Sequence, residues 1–408
     1  MTPVQTSHSH GISAKEFTVL VASLMSIVAI SIDALLPALG VIGADLKIAH
    51  PNQAQYIISA LFFGMAFGQL MCGPLSDACG RKPVLYAGTG LFLVGTVVCF
   101  FAQSLEVILI GRFIQGLGVA GPYISAISLV RDQYSGRQMA KVMSLVMMIF
   151  ITVPALAPTL GQAILFFASW HYIFVLYAIY ALVIVLWIFL RLNETLPKAN
   201  RIPFTAKGFI GGFKEVLSNR ATLGYTLCMG LFFGSFIGYL NSSQQIFQVQ
   251  FATGQMFAVY FGVLALVLGF ASMVNSRIVV RLGMHYICNR AVIGIIASSA
   301  VFLQLHFWVE IQLWMFVVYA TVLFFCFGLV FGNLNALAME PMGHVAGIAS
   351  AVIGAVSSIL SMTIGTCIGQ LYDNNLMPIA AGFLVMGSLA FVIMQMVDVK
   401  RIPNPDAA

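Results

Sequence analysis

The chain has 408 residues, of which 60% are hydrophobic and only 8% are Asp, Glu, Lys or Arg. A soluble globular domain carries about 25% charge, so a water-exposed globule is excluded, and a mean hydropathy of +0.98 places the chain in lipid. The net charge of +6 does not mark a nucleic-acid-binding protein, because the positive residues lie singly or in small groups between apolar runs.

The opening stretch, MTPVQTSHSHGISAKE (1–16), is polar and lacks a cleavable signal pattern, so the first span is expected to be retained. His8 and His10 have no further ligand beside them, and no metal site is expected. Apolar windows then recur at 17–42, 52–75, 83–103, 106–131, 140–166, 170–191, 222–247, 255–280, 289–309, 311–338, 345–371 and 376–397. Each approaches the length of about 20 residues that a membrane helix needs. None shows the period-two alternation of a barrel strand. The expected fold is an all-α membrane protein with twelve transmembrane helices. Of the 19 Lys and Arg, all but Lys47 and Arg112 fall in the terminal tails, in the even-numbered connections or at the span ends that adjoin them. Positive residues stay on the cytoplasmic side, which puts both termini there. The opposite connections, such as 104–105 and 168–170, are short and nearly uncharged.

Span 1 contains SIDALLPALG (31–40), with the carboxylate of Asp33 inside an apolar run. Counted from the outer end at 1.5 Å per residue, Asp33 lies roughly 13 Å deep. Pro37 lacks the N–H that would bond the Asp33 carbonyl four residues back, so a bend is expected there. Between spans 2 and 3 comes GPLSDACGRKPVLYAG (73–88). Gly73 permits close helix approach, Gly80 a tight turn, and Asp77 can meet a cation or a helix N-terminus. Span 4 carries Arg112 in GRFIQGLGVAG (111–121), roughly 10 Å deep on the same count. Gly116, Gly118 and Gly121 thin this helix for a neighbour. A charge at a helix centre costs roughly 2.5–3.5 kcal/mol on insertion scales, so Asp33 and Arg112 each need a partner or a wet cavity. Two readings stay open: a static ion pair, or a carboxyl whose protonation alternates as its surroundings change.

Span 5 contains VPALAPTLGQ, where Pro154 and Pro158 remove helix hydrogen bonds and Gly161 follows. The methionines of VMSLVMMIF (142–150) suit apolar packing. The longest polar connection, 192–221, carries Lys198, Arg201, Lys207, Lys214 and Arg220, and 207–219 can form an amphipathic surface helix. Six spans lie on each side. SRIVVRLGMHYICNR (276–290) repeats the 73–88 pattern weakly: Gly283 aligns with Gly80 at an offset of 203, although Val280 stands opposite Asp77. The expected organisation is a cytoplasmic tail (1–16), a six-helix bundle (17–191), a cytoplasmic loop (192–221), a second bundle (222–398) and a tail (399–408). The seven cysteines are scattered without a CxxC pair, which fits apolar packing and neither disulfides nor zinc. No HExxH or GxxxxGK[ST] occurs, and only one carboxylate lies clearly within the membrane. An intramembrane enzyme and an ATP-driven pump are therefore disfavoured.

These motifs resemble the major facilitator superfamily. GPLSDACGRKPVL fits its G-x-L-x-D-x-x-G-R-K/R element, with Gly73, Asp77, Gly80, Arg81 and Lys82 in register. The resemblance implies two pseudo-symmetric bundles and a latch between them that is made in one conformation and broken in another. GRFIQGLGVAG resembles an element of proton-coupled drug exporters. VPALAPTLGQ resembles the antiporter signature G-P-x-x-G, with Ala157 where a glycine is usual. SIDALLPALGVIGADL, SLVRDQY (128–134) and AMEPMGHVAGIASAVIG (338–354) resemble the Bcr/CflA-type drug-resistance transporters, although Leu35 and Gly40 depart. The resemblance implies that spans 1, 4, 7 and 10 line a central cavity. Gln115, Tyr123, Tyr239, Asn241, Gln245 and Asn333 then join Asp33 as candidate substrate contacts, and interhelical bonding is the alternative for each. Asp33 and Arg112 are the candidate proton-coupling pair.

The function implied is proton-coupled export of small, largely apolar molecules by alternating access. The chain is expected to act as a monomer in a bacterial inner membrane, with the proton gradient as drive and no cofactor. Its expected partners are a small-molecule substrate, protons and the lipid bilayer. The rival reading is a transporter of one metabolite, such as a siderophore, in either direction; a sensor without transport is a further alternative.

Overall fold

The computed structural model describes residues 12–134, 136–201 and 205–398; the tails, with His8 and His10, lie outside the described residues. Among the described residues there are helices and no strand. In chain order they are α1 (Ala14–Asp33), α2 (Leu39–Asp45), α3 (Tyr56–Cys79), α4 (Arg81–Phe100), α5 (Leu105–Gln133), α6 (Gly136–Phe167) and α7 (His171–Arg191). The surface helix α8 (Ala206–Ser218) follows, then α9 (Arg220–Gln244), α10 (Phe257–Leu282), α11 (Met284–Trp308), α12 (Leu313–Met339), α13 (Ala346–Gln370) and α14 (Met377–Asp398). Twelve helical segments are long and apolar enough to cross a membrane, and α1 with α2 forms the first of them. The described ends, near Ala14 and Asp398, share one face, called here the terminal face; the other is the far face.

Local sequence explains the boundaries. Ser13, Ser104 and Asn219 accept bonds from the N–H groups of Glu16, Val107 and Thr222, so α1, α5 and α9 begin at capped ends. Gly80 and Gly283, matched by the weak repeat, both take positive φ (105° and 78°) and join α3 to α4 and α10 to α11. The 73–88 motif is therefore less of a loop than its composition implies. Helix runs through Asp77 to Cys79 and resumes at Arg81, because one glycine is enough to turn the chain.

The first seven helices pack mainly on one another, as do α9 to α14. Within the first group α5 is the central element. A Cβ at Gly116 would collide with Leu61 of α3, and one at Gly118 with Phe92 of α4, so these glycines let three helices meet backbone to backbone. Across the groups, α3 lies against α13 and α6 against α10. The outer surface is a belt of exposed apolar side chains, including Val94, Val97, Leu182, Leu186, Val263 and Val392, as a lipid-facing wall requires.

Candidate functional site

The first span breaks where its carboxylate stands. α1 ends at Asp33, a 3-10 turn covers Leu36–Ala38, and α2 resumes at Leu39. Pro37 sits in that turn, where its missing N–H frees the carbonyl one helical turn earlier. Gly161 of α6 packs directly on the Ala34 carbonyl, leaving no room for a Cβ. Pro154 and Pro158 lie inside the continuous helix α6, whose Gly161 meets the broken helix and whose Ala155 carbonyl backs against Gly262 of α10. Tyr177 of α7 donates its hydroxyl to the Ser31 carbonyl at 3.2 Å and steadies the last turn of α1. Asp33 itself is 6% exposed and, among the described residues, has neither a hydrogen-bond partner nor an ion partner.

Arg112 is fully buried. Its Nε donates to the Ile57 carbonyl at 3.0 Å and its Nη1 to Gln115 Oε1 at 2.9 Å, while Nη2 has no partner. Gln115 Nε2 donates in turn to Thr96 Oγ1 at 2.8 Å. The ion pair left open between Asp33 and Arg112 is not formed: neutral groups of α3, α4 and α5 hold the guanidinium.

The remaining polar candidates divide. Tyr239 of α9 is 2% exposed and its hydroxyl has no partner among the described residues. Tyr123 is half-buried. Asn333 exchanges amide hydrogen bonds with Asn275 of α10 at 2.8 and 3.3 Å, which ties α12 to α10. Asn241 and Gln245 join a set that crosses between the halves toward the far face. Gln55 donates to Gln245 Oε1 (2.6 Å), Gln245 to Asn52 Oδ1 (2.8 Å), and Asn52 to the carbonyls of Gln370 (3.1 Å) and Tyr372 (2.8 Å). Asn241 donates to Ser59 Oγ at 3.2 Å, and Thr366 does so at 2.9 Å. Burial pushes the Tyr372 phenol well above the usual tyrosine range, so it stays a donor to Gln250 at 2.7 Å. Outside this clasp lies a cavity of about 810 Å³ lined by residues such as Gly40, His50, Gln244 and Asp373.

On the terminal face the charged motif assembles. Arg81 donates to Asp77 at 2.6 Å and to Asp132 at 2.8 Å and 3.2 Å. Glu194 accepts from the backbone N–H groups of Arg81 (2.9 Å) and Lys82 (3.1 Å), capping α4. Lys82 Nζ donates to the Leu192 carbonyl at 2.6 Å. Asp77 also faces the first turn of α13: a Cβ on Gly347 would stand 2.7 Å from its Oδ2. A carboxylate is favoured at that end of a helix. Gly73 brings α3 close to Ala351, where a Cβ would meet its Cβ at 3.1 Å. The α3–α13 seam therefore closes from Asp77 to Ser59.

Sequence reasoning missed Asp132, Glu194, Tyr177, Asn52, Gln55 and Ser59. Asp132 lies inside the noted SLVRDQY stretch; the others carry no local signal.

A set of aromatic rings joins α9 and α12 within the second half and touches the first half through Phe62. Phe233 and Phe236 of α9 face Phe324, Phe327 and Phe331 of α12, and Phe62 of α3 meets Phe233 edge-on at 5.9 Å. Phe324, Phe327 and Phe331 share one stripe of α12. Phe324 and Phe327 are 3% and 4% exposed, whereas Phe331 is 37% exposed. The stripe is buried at mid-membrane and more exposed toward the terminal face.

This architecture has known relatives. The sequence profile described as Major Facilitator Superfamily matches residues 20–366. The "Uncharacterized MFS-type transporter YdgK" of Bacillus subtilis (strain 168) is 31% identical over 392 residues, covering 94% of this chain and 96% of its own. The "Bicyclomycin resistance protein homolog" of Haemophilus influenzae is 28% identical over 363 residues, 89% of this chain and 90% of its own. The crystal structure of the human organic anion transporter MFSD10 (TETRAN) superposes with a TM-score of 0.70 at 16% identity, covering 95% of this chain and 100% of that one, a likeness of fold alone. With two sets of six apolar spans, the charged turn at Gly80 and a profile match across most of its length, the chain belongs to the Major Facilitator Superfamily.

Proposed function

We propose that this protein is a proton-coupled exporter of small, largely apolar molecules, working in a bacterial inner membrane with both termini in the cytoplasm. The observation that carries the reading is Asp33: a buried carboxyl with no ion partner, at the break of the first span. A structural acid would be paired, because an uncompensated buried charge is strongly destabilising. An acid that must gain and lose a proton needs its oxygens free. The relative named for bicyclomycin resistance supports drugs as cargo.

In this reading Asp33 takes a proton from the far side when the far-face clasp is open. It gives the proton up toward the terminal face when substrate enters from that side. Residues 17–191 and 222–398 rock as two bodies, and the Asp77–α13 contact and the Asn52–Gln245 clasp open in alternation. Arg112 ties α5 to α3 and, through Gln115, to α4. The proton gradient supplies the free energy, no cofactor is called for, and the protein acts as a monomer.

Everted vesicles containing the protein, energised by respiration and offered labelled bicyclomycin and chloramphenicol, test the reading. At least one drug should accumulate inside and leave when a protonophore collapses the gradient. Accumulation that survives the protonophore would remove proton coupling. Absence of any accumulation, with the protein folded in the membrane, would favour a single dedicated metabolite as cargo.

A further inference from the structure

The hollow outside the far-face clasp belongs to neither half alone. Gly40, His50 and Gln53 line it from the first half, and Gln244, Asp373 and Asn374 from the second. Its volume of about 810 Å³ falls within the range of roughly 300–1,000 Å³ that small-molecule sites occupy. Asn52 and Gln245, bonded to each other, also line it, so the clasp is one of its walls. Asp33, Arg112, Tyr239 and Asn241 are not among its walls. Two local features shape it. Gly40 stands where the sequence departs from the drug-transporter resemblance. A Cβ there would come within 2.8 Å of Gln244 Nε2, so the missing side chain lets Gln244 lie against the first span. Beyond Gln244, α9 gives way to a π-helical turn, Gln245–Gln250, a wide form of helix that recurs at functional sites.

The lining is rich in amides and holds one carboxylate, Asp373, with no Lys or Arg. Among the described residues Asp373 has neither a hydrogen-bond nor an ion partner, and the side chains of Gln53 and Asn374 are equally free. Amides both donate and accept, so they suit hydroxyl groups, and a free carboxylate suits a cation. Leu39, Val249 and Leu371 add apolar surface of the kind that packs on the C–H face of a sugar ring. We propose that this hollow is a regulatory site for a hydroxyl-rich amine, such as an amino sugar, arriving from the far side, and that its occupant holds the far face shut. The lock follows from the walls. A ligand that bridges both halves binds the closed form better than the open one and shifts the balance by that difference. The inference goes beyond the export reading, because the occupant is not the cargo.

The test uses one disaccharide skeleton carrying a positive, no or a negative charge: aminodeoxylactitol, lactitol and lactobionate, titrated into the full-length purified protein. Wild-type protein should bind the amine most tightly and the acid least. Asp373→Asn, on an exposed loop, should reduce the amine-to-lactitol affinity ratio about two- to fivefold, the range of an exposed ion pair. Gln53→Ala should weaken both compounds, and Asp33→Asn should bind the amine as the wild type does. At about ten times its Kd the amine should slow hydrogen exchange at 38–48 and 370–374 about tenfold. No binding, equal affinity for all three compounds, an unchanged ratio in Asp373→Asn, or exchange that does not slow would overturn the proposal. Loss of amine binding in Asp33→Asn would overturn it too, by moving the amine to the centre of the molecule. Drug export without amine binding would sink this site alone, whereas amine binding and slowed exchange in a protein that exports no drug would sink the export reading alone.

Discussion

At the level of single residues, Asp33, Pro37 and Gly161 define the centre of the molecule. Pro37 has no N–H to offer, α1 stops at Asp33, and Gly161 fills the groove over Ala34. Replacing Gly161 by Ala forces a methyl group onto the Ala34 carbonyl. The overpacking should cost about 1–3 kcal/mol, measurable as a lower melting temperature, and transport should fall with it because the break must shift. Pro37→Ala restores the donor and should instead straighten the span. Hydrogen exchange around 33–38 would then slow, whereas unchanged exchange would mean that Pro37 does not cause the break. These residues were legible because each is a chemical anomaly in an apolar run: an acid, a proline, a glycine beside two prolines. Tyr177, Asp132 and Glu194 were not. A tyrosine in a span, or an acid near a helix end, is ordinary until its neighbours are known.

Among helices, the connection at Gly80 shows how little chain a charged turn needs. Gly80 holds φ at 105°, and a Cβ there would also crowd Glu194 at 2.7 Å and Arg201 at 2.9 Å. Gly80→Ala should therefore lower stability by about 1–3 kcal/mol, and Glu194→Ala, which uncaps α4, by about 0.5–2 kcal/mol. Thermal unfolding in detergent reads both, and a neutral Glu194→Ala would show that the cap is dispensable. On the far face the seal is built of neutral amides, each bond worth about 0.5–1.5 kcal/mol net. Asn52 takes part in several of them, so Asn52→Ala should shift the population roughly tenfold toward opening there. Faster hydrogen exchange at 38–48 and 370–374, with no change at 77–82, is the expected signature. The spans and the turn glycines were readable from hydropathy and spacing. The far-face clasp was not, because Asn and Gln at helix ends look alike whether they bond water, substrate or the other half.

For the whole molecule, the α3–α13 seam touches along its length, from Asp77 against Gly347 to Ser59 against Thr366, while Phe331 on α12 is exposed. The proposed cycle requires the charged contact on one face and the amide clasp on the other to alternate, with the protonation of Asp33 setting the balance between them. A difference of about 1.4 kcal/mol moves such an equilibrium tenfold, which is within the range of the few hydrogen bonds involved. The Asp33→Asn variant, which cannot lose a proton, should then fail to cycle. The most direct measurement is proton release from everted vesicles holding an imposed acid-inside gradient, on addition of a drug that the wild type carries. Wild-type vesicles should release protons in step with the drug and Asp33→Asn vesicles should not, with equal amounts of folded protein in each. Drug-triggered release that persists in Asp33→Asn would contradict the role given to this carboxyl.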